Sequence, residues 1–417
     1  MKHTLFISFD LIRQGEIEKP LAIASILGFL KSDRQLQDKM SFHHLSINIL
    51  NYGGQAQPND FDKYLSVFNL EKFDFIAVSA YIWNEYLLND FIKHLRTLGF
   101  RGKIILGGYQ ITYSDQKSLP FQYPDTQIFV SGYAEKSLKD LFNSNATTTV
   151  PQFLNATVDF SEIPSAYLTN EIIVPSGTSM LRLETKRGCP YRCSFCAHRD
   201  LTQNKVFKHS LDKVFNEIAF ITERKVKRVN ILDPIFNAGK EHLEIMREIN
   251  RTNLTTTFTL QSRFENIRGT TGTEFLDLCS GGNYHLEFGL QTADTTEAEN
   301  INRRNNLQQI DEAFTQLRER NISYEVSLIY GLPGQTIDSF KRSIDFVQSR
   351  GCKTIKAYPL MLLRGTELYH EKEKWDIKEE TNGEFAIPVV TSSNSFTRND
   401  WEQMNDIANN LTPHDRQ

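Results

Sequence analysis

The chain has 417 residues, 40% of them hydrophobic and 24% charged, with a net charge of −4. This is the composition of an ordinary globular protein with room for about two or three domains. The slightly acidic balance gives no basic footprint for nucleic acid, and Arg224-Lys225-Val226-Lys227-Arg228 reads as a solvated helix end.

No apolar run is long enough to span a bilayer. Met1-Lys2-His3-Thr4-Leu5-Phe6-Ile7 leads straight into a strand pattern. Neither membrane insertion nor a signal peptide is therefore expected, and a cytoplasmic location is the default. Through residues 1–150, apolar runs alternate with helical patterns. Strands are expected at 5–9, 45–50, 73–80, 103–106 and 128–130. A helix at 20–30 carries Pro20 at its first turn, and another follows Asn84 as N-cap, with Leu88, Phe91, Ile92 and Leu95 at helical spacing. Such alternation predicts a doubly wound parallel sheet, whose ligands bind at the carboxyl ends of the strands. Ser79, Gly107-Gly108 and Gly132-Tyr133-Ala134-Glu135 fall at those ends.

The stretch 151–179, with Pro164 and Pro175 and little periodicity, reads as a linker. A second strand–helix series fills 180–364. Its strands are expected at 181–185, 229–232, 256–261, 286–289, 324–330 and 354–358, with helices near 211–221, 242–249, 273–278, 310–317 and 337–347. This succession suits a partial parallel barrel, in which chemistry sits at the C-terminal strand ends. An acidic, loop-rich extension follows over 365–417, with a last helix near 401–411.

Directly after the first strand of this second series, Cys189, Cys193 and Cys196 form a C-x3-C-x2-C run. A structural zinc or a simple ferredoxin-type cluster wants four protein ligands, and no fourth cysteine is near. Three thiolates on a short loop can hold a 4Fe–4S cluster by three corners and leave one iron open. Zinc with His198 as fourth ligand is the competing reading, and a disulfide with a spare thiol is a third. Tyr191 and His198 read either as packing on the loop or as facing the site. Cys279 and Cys352 read as small buried hydrophobes.

The segment from Arg187 to Arg199 resembles the signature of the radical S-adenosylmethionine (SAM) superfamily. There the open iron is chelated by the amino and carboxylate groups of SAM, and an aromatic residue precedes the third cysteine, as Phe195 does here. The resemblance implies SAM contacts at the later strand ends: Asp233, Gln261, Gln291, Arg303 twelve residues beyond it, and Ser327. Arginine suits the SAM carboxylate, which it can hold bidentately. Residues 1–150 resemble the cobalamin-binding domain of cobalamin-dependent radical SAM enzymes, with Ser79, Gly107 and Gly108 matching turns that line the corrinoid tail pocket. That family's D-x-H-x-x-G motif is absent. Asp10-Leu11-Ile12-Arg13-Gln14-Gly15 offers no histidine, so cobalamin is expected without a protein nitrogen below cobalt, and a degenerate domain stays open.

The expectation is thus an α/β chain. A Rossmann-like cobalamin-binding domain (1–150) is followed by a linker (151–179), a partial (β/α)6 radical SAM barrel (180–364) and a C-terminal extension (365–417). The implied cofactors are a 4Fe–4S cluster, SAM and cobalamin. The implied activity is reductive SAM cleavage to a radical, with methyl transfer to, or remodelling of, a carbon of a small molecule or peptide. An electron donor such as flavodoxin or ferredoxin is implied, and no residue is assigned to acid–base catalysis. Cobalamin-independent rearrangement, transfer of another SAM fragment, and a non-catalytic cluster sensor or electron carrier are the alternatives.

Overall fold

The structure is a computed structural model that describes residues 1–144, 151–199, 205–252, 255–381 and 387–411. Two compact units form, one built on Met1–Val174 and the other on Pro175–Thr381 and the residues from Pro388 onward.

The first unit holds six parallel strands: β1 (Lys2–Asp10), β2 (Met40–Asn48), β3 (Phe75–Ser79), β4 (Lys103–Gly107), β5 (Ile128–Val130) and β6 (Gln152–Leu154). They lie in the order β2-β1-β3-β4-β5-β6, a doubly wound arrangement that changes direction between β1 and β3. Alternate residues of β1 serve opposite cores. Leu5, Ile7 and Phe9 pack with Leu88 and Phe91 of α2 (Glu85–Thr97). Phe6 packs with Leu27 and Leu30 of α1 (Leu21–Ser32) and Leu138 of α3 (Ala134–Asn143).

Three details differ from the sequence reading. Strand β2 begins at Met40, earlier than expected. Its Ser41, His43 and His44 are half-buried on an edge strand, where strict apolar patterning is not demanded. Gln152–Leu154, within the stretch read as a linker, joins the sheet beside β5. Asn84 does not cap α2 with its side chain. It is fully buried and instead braces its own loop, accepting from Tyr81 N at 2.8 Å and donating to Ser79 O at 2.8 Å.

The second unit holds β7 (Met180–Leu183), β8 (Arg228–Ile231), β9 (Thr257–Ser262), β10 (Tyr284–Gln291), β11 (Tyr324–Tyr330) and β12 (Ile355–Pro359), all parallel and neighbours in chain order. Between them run α4 (Leu211–Glu223), α5 (Glu241–Thr252), α6 (Gly269–Ser280), the short α7 (Thr295–Asn300) with α8 (Leu307–Glu319), and α9 (Ile337–Gln348). This is the succession of a partial (β/α)6 barrel.

Strand β10 shows how the sequence aims its side chains. Tyr284, Leu286, Phe288 and Leu290 are buried on one face, while His285, Glu287, Gly289 and Gln291 are only half-buried on the other. Phe288 stacks on Phe264 at 4.1 Å between ring centroids, and Phe264 lies 4.7 Å from Phe314 of α8. The apolar face is therefore closed by helices, and the polar face is left for function. After β12, Lys378–Thr381 pairs with Pro388–Ser392, and α10 (Arg398–Asn410) buries Trp401 and Met404. Among the described residues, no helix is long and apolar enough to cross a membrane.

Candidate active site

The cysteine loop leaves β7 and is tied down at several points. Gly188 opens it with φ of 90°, and a Cβ there would meet the Lys205 carbonyl at 2.4 Å, so only glycine fits. Buried Ser194 donates its N–H to Ile301 O at 2.9 Å, and its carbonyl accepts from Leu368 N at 2.9 Å. Asn302, in a left-handed conformation, donates to Arg192 O at 2.9 Å. Just past β7, Glu184 accepts from Arg187 Nε at 2.8 Å and meets His209 Nε2 at 3.3 Å. Burial alone would raise the Glu184 carboxyl, but Arg187 and His209 outweigh it and hold the group down at about 2.

All three loop cysteines are free, and each sulfur has a donor aimed at it. Tyr191 N–H bonds to Cys189, Arg303 Nη1 lies 3.7 Å from Cys193 Sγ, and His198 N lies 3.5 Å from Cys196 Sγ. Donors to sulfur favour thiolate over thiol, which is the state a metal cluster requires. Burial works the other way, pushing the Cys196 thiol up to about 11 and the Cys189 thiol above its ordinary value. Loading with iron must therefore displace protons. Among the described residues, no three His, Cys, Asp or Glu side chains converge closely enough to hold a single metal ion. A cubane takes its thiolates at separate corners, and three thiols on one pinned loop fit that demand.

Arg303 is buried between the loop and the end of β10. Its Nε donates to Leu290 O at 3.1 Å and its Nη2 to Gly289 O, while Nη1 faces Cys193. Asn305 supports the same corner, accepting from Arg303 Nε at 3.2 Å and donating to Thr292 O at 2.8 Å. Donors remain over on both terminal nitrogens of the guanidinium. Gln291 closes β10 with φ of 72° at a register shift between Gly289 and Gln291. A Cβ on Gly289 would meet Gln291 Nε2 at 2.5 Å and Arg303 Nη2 at 3.8 Å, so the carboxamide and the guanidinium converge over this glycine. Ser327 pairs with Gly289 on the next strand, and Gln261 pairs with Glu287 one step lower on the same face.

Phe195 is half-buried in the loop. One of the expected SAM residues stands differently. Asp233 is fully buried and already engaged, accepting from Thr185 N at 2.9 Å, from Lys186 N at 3.1 Å and from the Thr185 hydroxyl. It faces the backbone that leads into the cysteine loop and not an open site, so it anchors the loop. Desolvation at a β8 strand end was invisible in the sequence, where any aspartate after a strand looks available.

The sequence reading also missed Arg263, Asn266 and Asn237. Arg263 stacks on Tyr191 with Cζ 3.9 Å from the ring centroid, and Asn266 Oδ1 accepts from Tyr191 Oη at 2.9 Å. Tyr191 thus packs under the loop. The only sequence signal was a charged residue two positions beyond Gln261.

In the first unit, Ser79 and Gly107 are direct register partners at the ends of β3 and β4. A Cβ on Gly107 would meet Val130 at 3.5 Å, an ordinary contact, so this position does not require glycine. Gly108 is different. Its φ is 95°, and a Cβ would come within 2.7 Å of Ala80 O, so glycine is needed there by the fold itself. The Tyr81 and Trp83 rings stack at 4.5 Å beside these turns, and Trp83 Nε1 donates to Phe9 O at 2.9 Å. In the Asp10–Gly15 turn, Ile12 is clamped by Asn48, with bonds of 3.1 and 2.7 Å.

Residues 183–347 match the Radical SAM superfamily. The chain carries a radical SAM domain. It is 22% identical over 70% of its length to an uncharacterized methyltransferase of Pyrococcus horikoshii, and 21% identical over 71% to the cobalamin-dependent radical SAM methyltransferase TokK of Streptomyces tokunonensis. The matches span 66% and 48% of those relatives' own lengths. The fold is that of the radical SAM methyltransferase TsrM of Kitasatospora setae, with a TM-score of 0.68 at 14% identity, covering 99% of this chain and 90% of that one. The cobalamin-dependent radical enzyme OxsB shares it with a TM-score of 0.62 at 16% identity, covering 88% and 55%. This family uses a 4Fe–4S cluster and SAM.

Proposed function

We propose that the protein is a radical SAM enzyme that uses cobalamin to methylate, or otherwise remodel, a carbon of a small molecule or peptide. The observation that carries this reading is the corner where Arg303 and Gln291 meet beside Cys193, on a loop that carries three cysteine sulfurs.

In this reading Cys189, Cys193 and Cys196 hold the cluster. Arg303 presents its spare donors to the SAM carboxylate, and Gln291, Ser327, Gln261 and Phe195 line the remainder of the SAM site. Asp233 holds the loop from beneath. When bound, the cluster and SAM supply one-electron cleavage of SAM, and cobalamin supplies a methyl carrier. The chain's own task is to orient these groups and to exclude water from the polar face of the sheet. The paired strand-end turns at Ser79 and Gly107 are where a corrinoid tail would lie in the first unit. The names of the relatives TokK and OxsB support the same cofactor. The electron comes from a flavodoxin- or ferredoxin-like donor.

The test is anaerobic reconstitution followed by hydroxocobalamin and desalting. About four iron per chain, retained corrinoid, and SAM consumption with dithionite are expected. Protein that consumes SAM yet keeps no corrinoid would point to cobalamin-independent chemistry. Iron-loaded protein whose EPR signal ignores SAM would point to a carrier.

A further inference from the structure

Beneath the cysteine loop lies a buried cation that the reading above does not use. Arg263 is 3% exposed. Its guanidinium stacks on the Tyr191 ring, donates from Nε and Nη2 to Glu265 at 3.2 Å each, and reaches Arg304 O at 3.3 Å. Its backbone is fixed through Asn237, which accepts from Arg263 N at 3.0 Å and donates to Arg263 O at 2.9 Å. Tyr191 sits between Cys189 and Cys193. Its hydroxyl is held by Asn266, and its N–H bonds to the Cys189 sulfur. A single stacked side chain therefore links a buried charge to the cluster ligands.

Building on the radical SAM reading, we infer that Arg263 is a positioning residue that also sets the cluster's reduction potential, with Glu265 as its counterweight. Reduction adds one electron, and so one negative charge, to a cluster already ringed by three thiolates. A fixed cation a few ångströms below the loop stabilises the reduced form more than the oxidised form. The effect is not lost to water, because the guanidinium is desolvated and held. Glu265, paired with the guanidinium, opposes it. Through the stack, Arg263 also fixes the ring that aims the Tyr191 N–H at Cys189, and an N–H donor to a cluster sulfur acts in the same direction.

The experiment is an EPR-monitored redox titration of the reconstituted full-length protein without SAM, using dithionite as the one-electron reductant. Arg263→Gln should lower the midpoint potential, Glu265→Gln should raise it, and Arg263→Lys should return it close to the parent value. Shifts of opposite sign separate a charge effect from mere loosening of the loop, which would move both variants the same way. If Arg263→Gln fails to retain iron, the Glu265→Gln and Arg263→Lys proteins decide alone, and a Glu265→Gln potential that is unchanged or lower overturns the inference. Parent protein that takes up no iron would overturn the radical SAM reading itself and this inference with it. An intact cluster with unmoved potentials would sink the inference only.

Discussion

Two glycines in the candidate site make different demands, and substitution separates them. Gly188 adopts φ of 90° against the Lys205 carbonyl. Gly188→Ala should cost about 1–3 kcal/mol locally and lower the iron retained after reconstitution, as measured by iron assay. Gly289 has no positive φ, and the one close neighbour of a Cβ there is the end of the Gln291 side chain. Gly289→Ala should therefore fold and load iron like the parent. The displaced carboxamide should weaken SAM binding roughly tenfold, or about 1.4 kcal/mol, as read by equilibrium binding. Equal SAM affinity in that variant would remove Gln291 from the site.

At the scale of elements, the segment after β6 is fastened to α1 by one carboxylate. Glu171 is nearly buried and accepts from Lys19 at 2.7 Å and from Lys31 at 2.7 Å. Burial alone would raise its carboxyl, but the two lysines outweigh burial and hold it below the usual value of 4.5. A depressed folded pKa contributes stability that is present above the unfolded value and lost as pH falls through the folded one. Glu171→Gln should therefore cost ~1 kcal/mol near neutral pH. The difference from the parent should shrink at pH values below the ordinary carboxylate range, as followed by denaturant titration at several pH values. A gap that stays constant down to strongly acidic pH would assign the loss to packing. The same segment shows why a linker was expected: Pro164, Pro175 and absent periodicity hide a set of contacts made side chain by side chain, including buried Phe160, Ile163 and Tyr167.

At the scale of the whole chain, the two cofactor assignments belong to separate units and should fail separately. Replacing Cys189, Cys193 and Cys196 with alanine should abolish iron while corrinoid is still retained after desalting. Gly107→Trp, which puts a bulky ring at this turn where a Cβ is tolerated, should do the reverse, as seen in visible spectra and iron content. Loss of both cofactors in either variant would contradict this division. The sequence by itself determined the alternation of strands and helices in both units, because periodicity and turn residues are local properties of the chain. It also determined the three-thiol loop, since ligand spacing on a short segment needs no tertiary information. Only the tertiary structure decided which polar residues are free to act. Asp233 looks available after its strand and Asn84 looks like a helix cap, yet burial commits both to loop backbone groups that must be satisfied. Gln291 and Arg303 meet because a register shift and a left-handed residue turn the strand end toward the loop. Arg263 gains its place under Tyr191 only when β9 lies beside the cysteine loop, since stacking and desolvation arise from residues far apart in the chain.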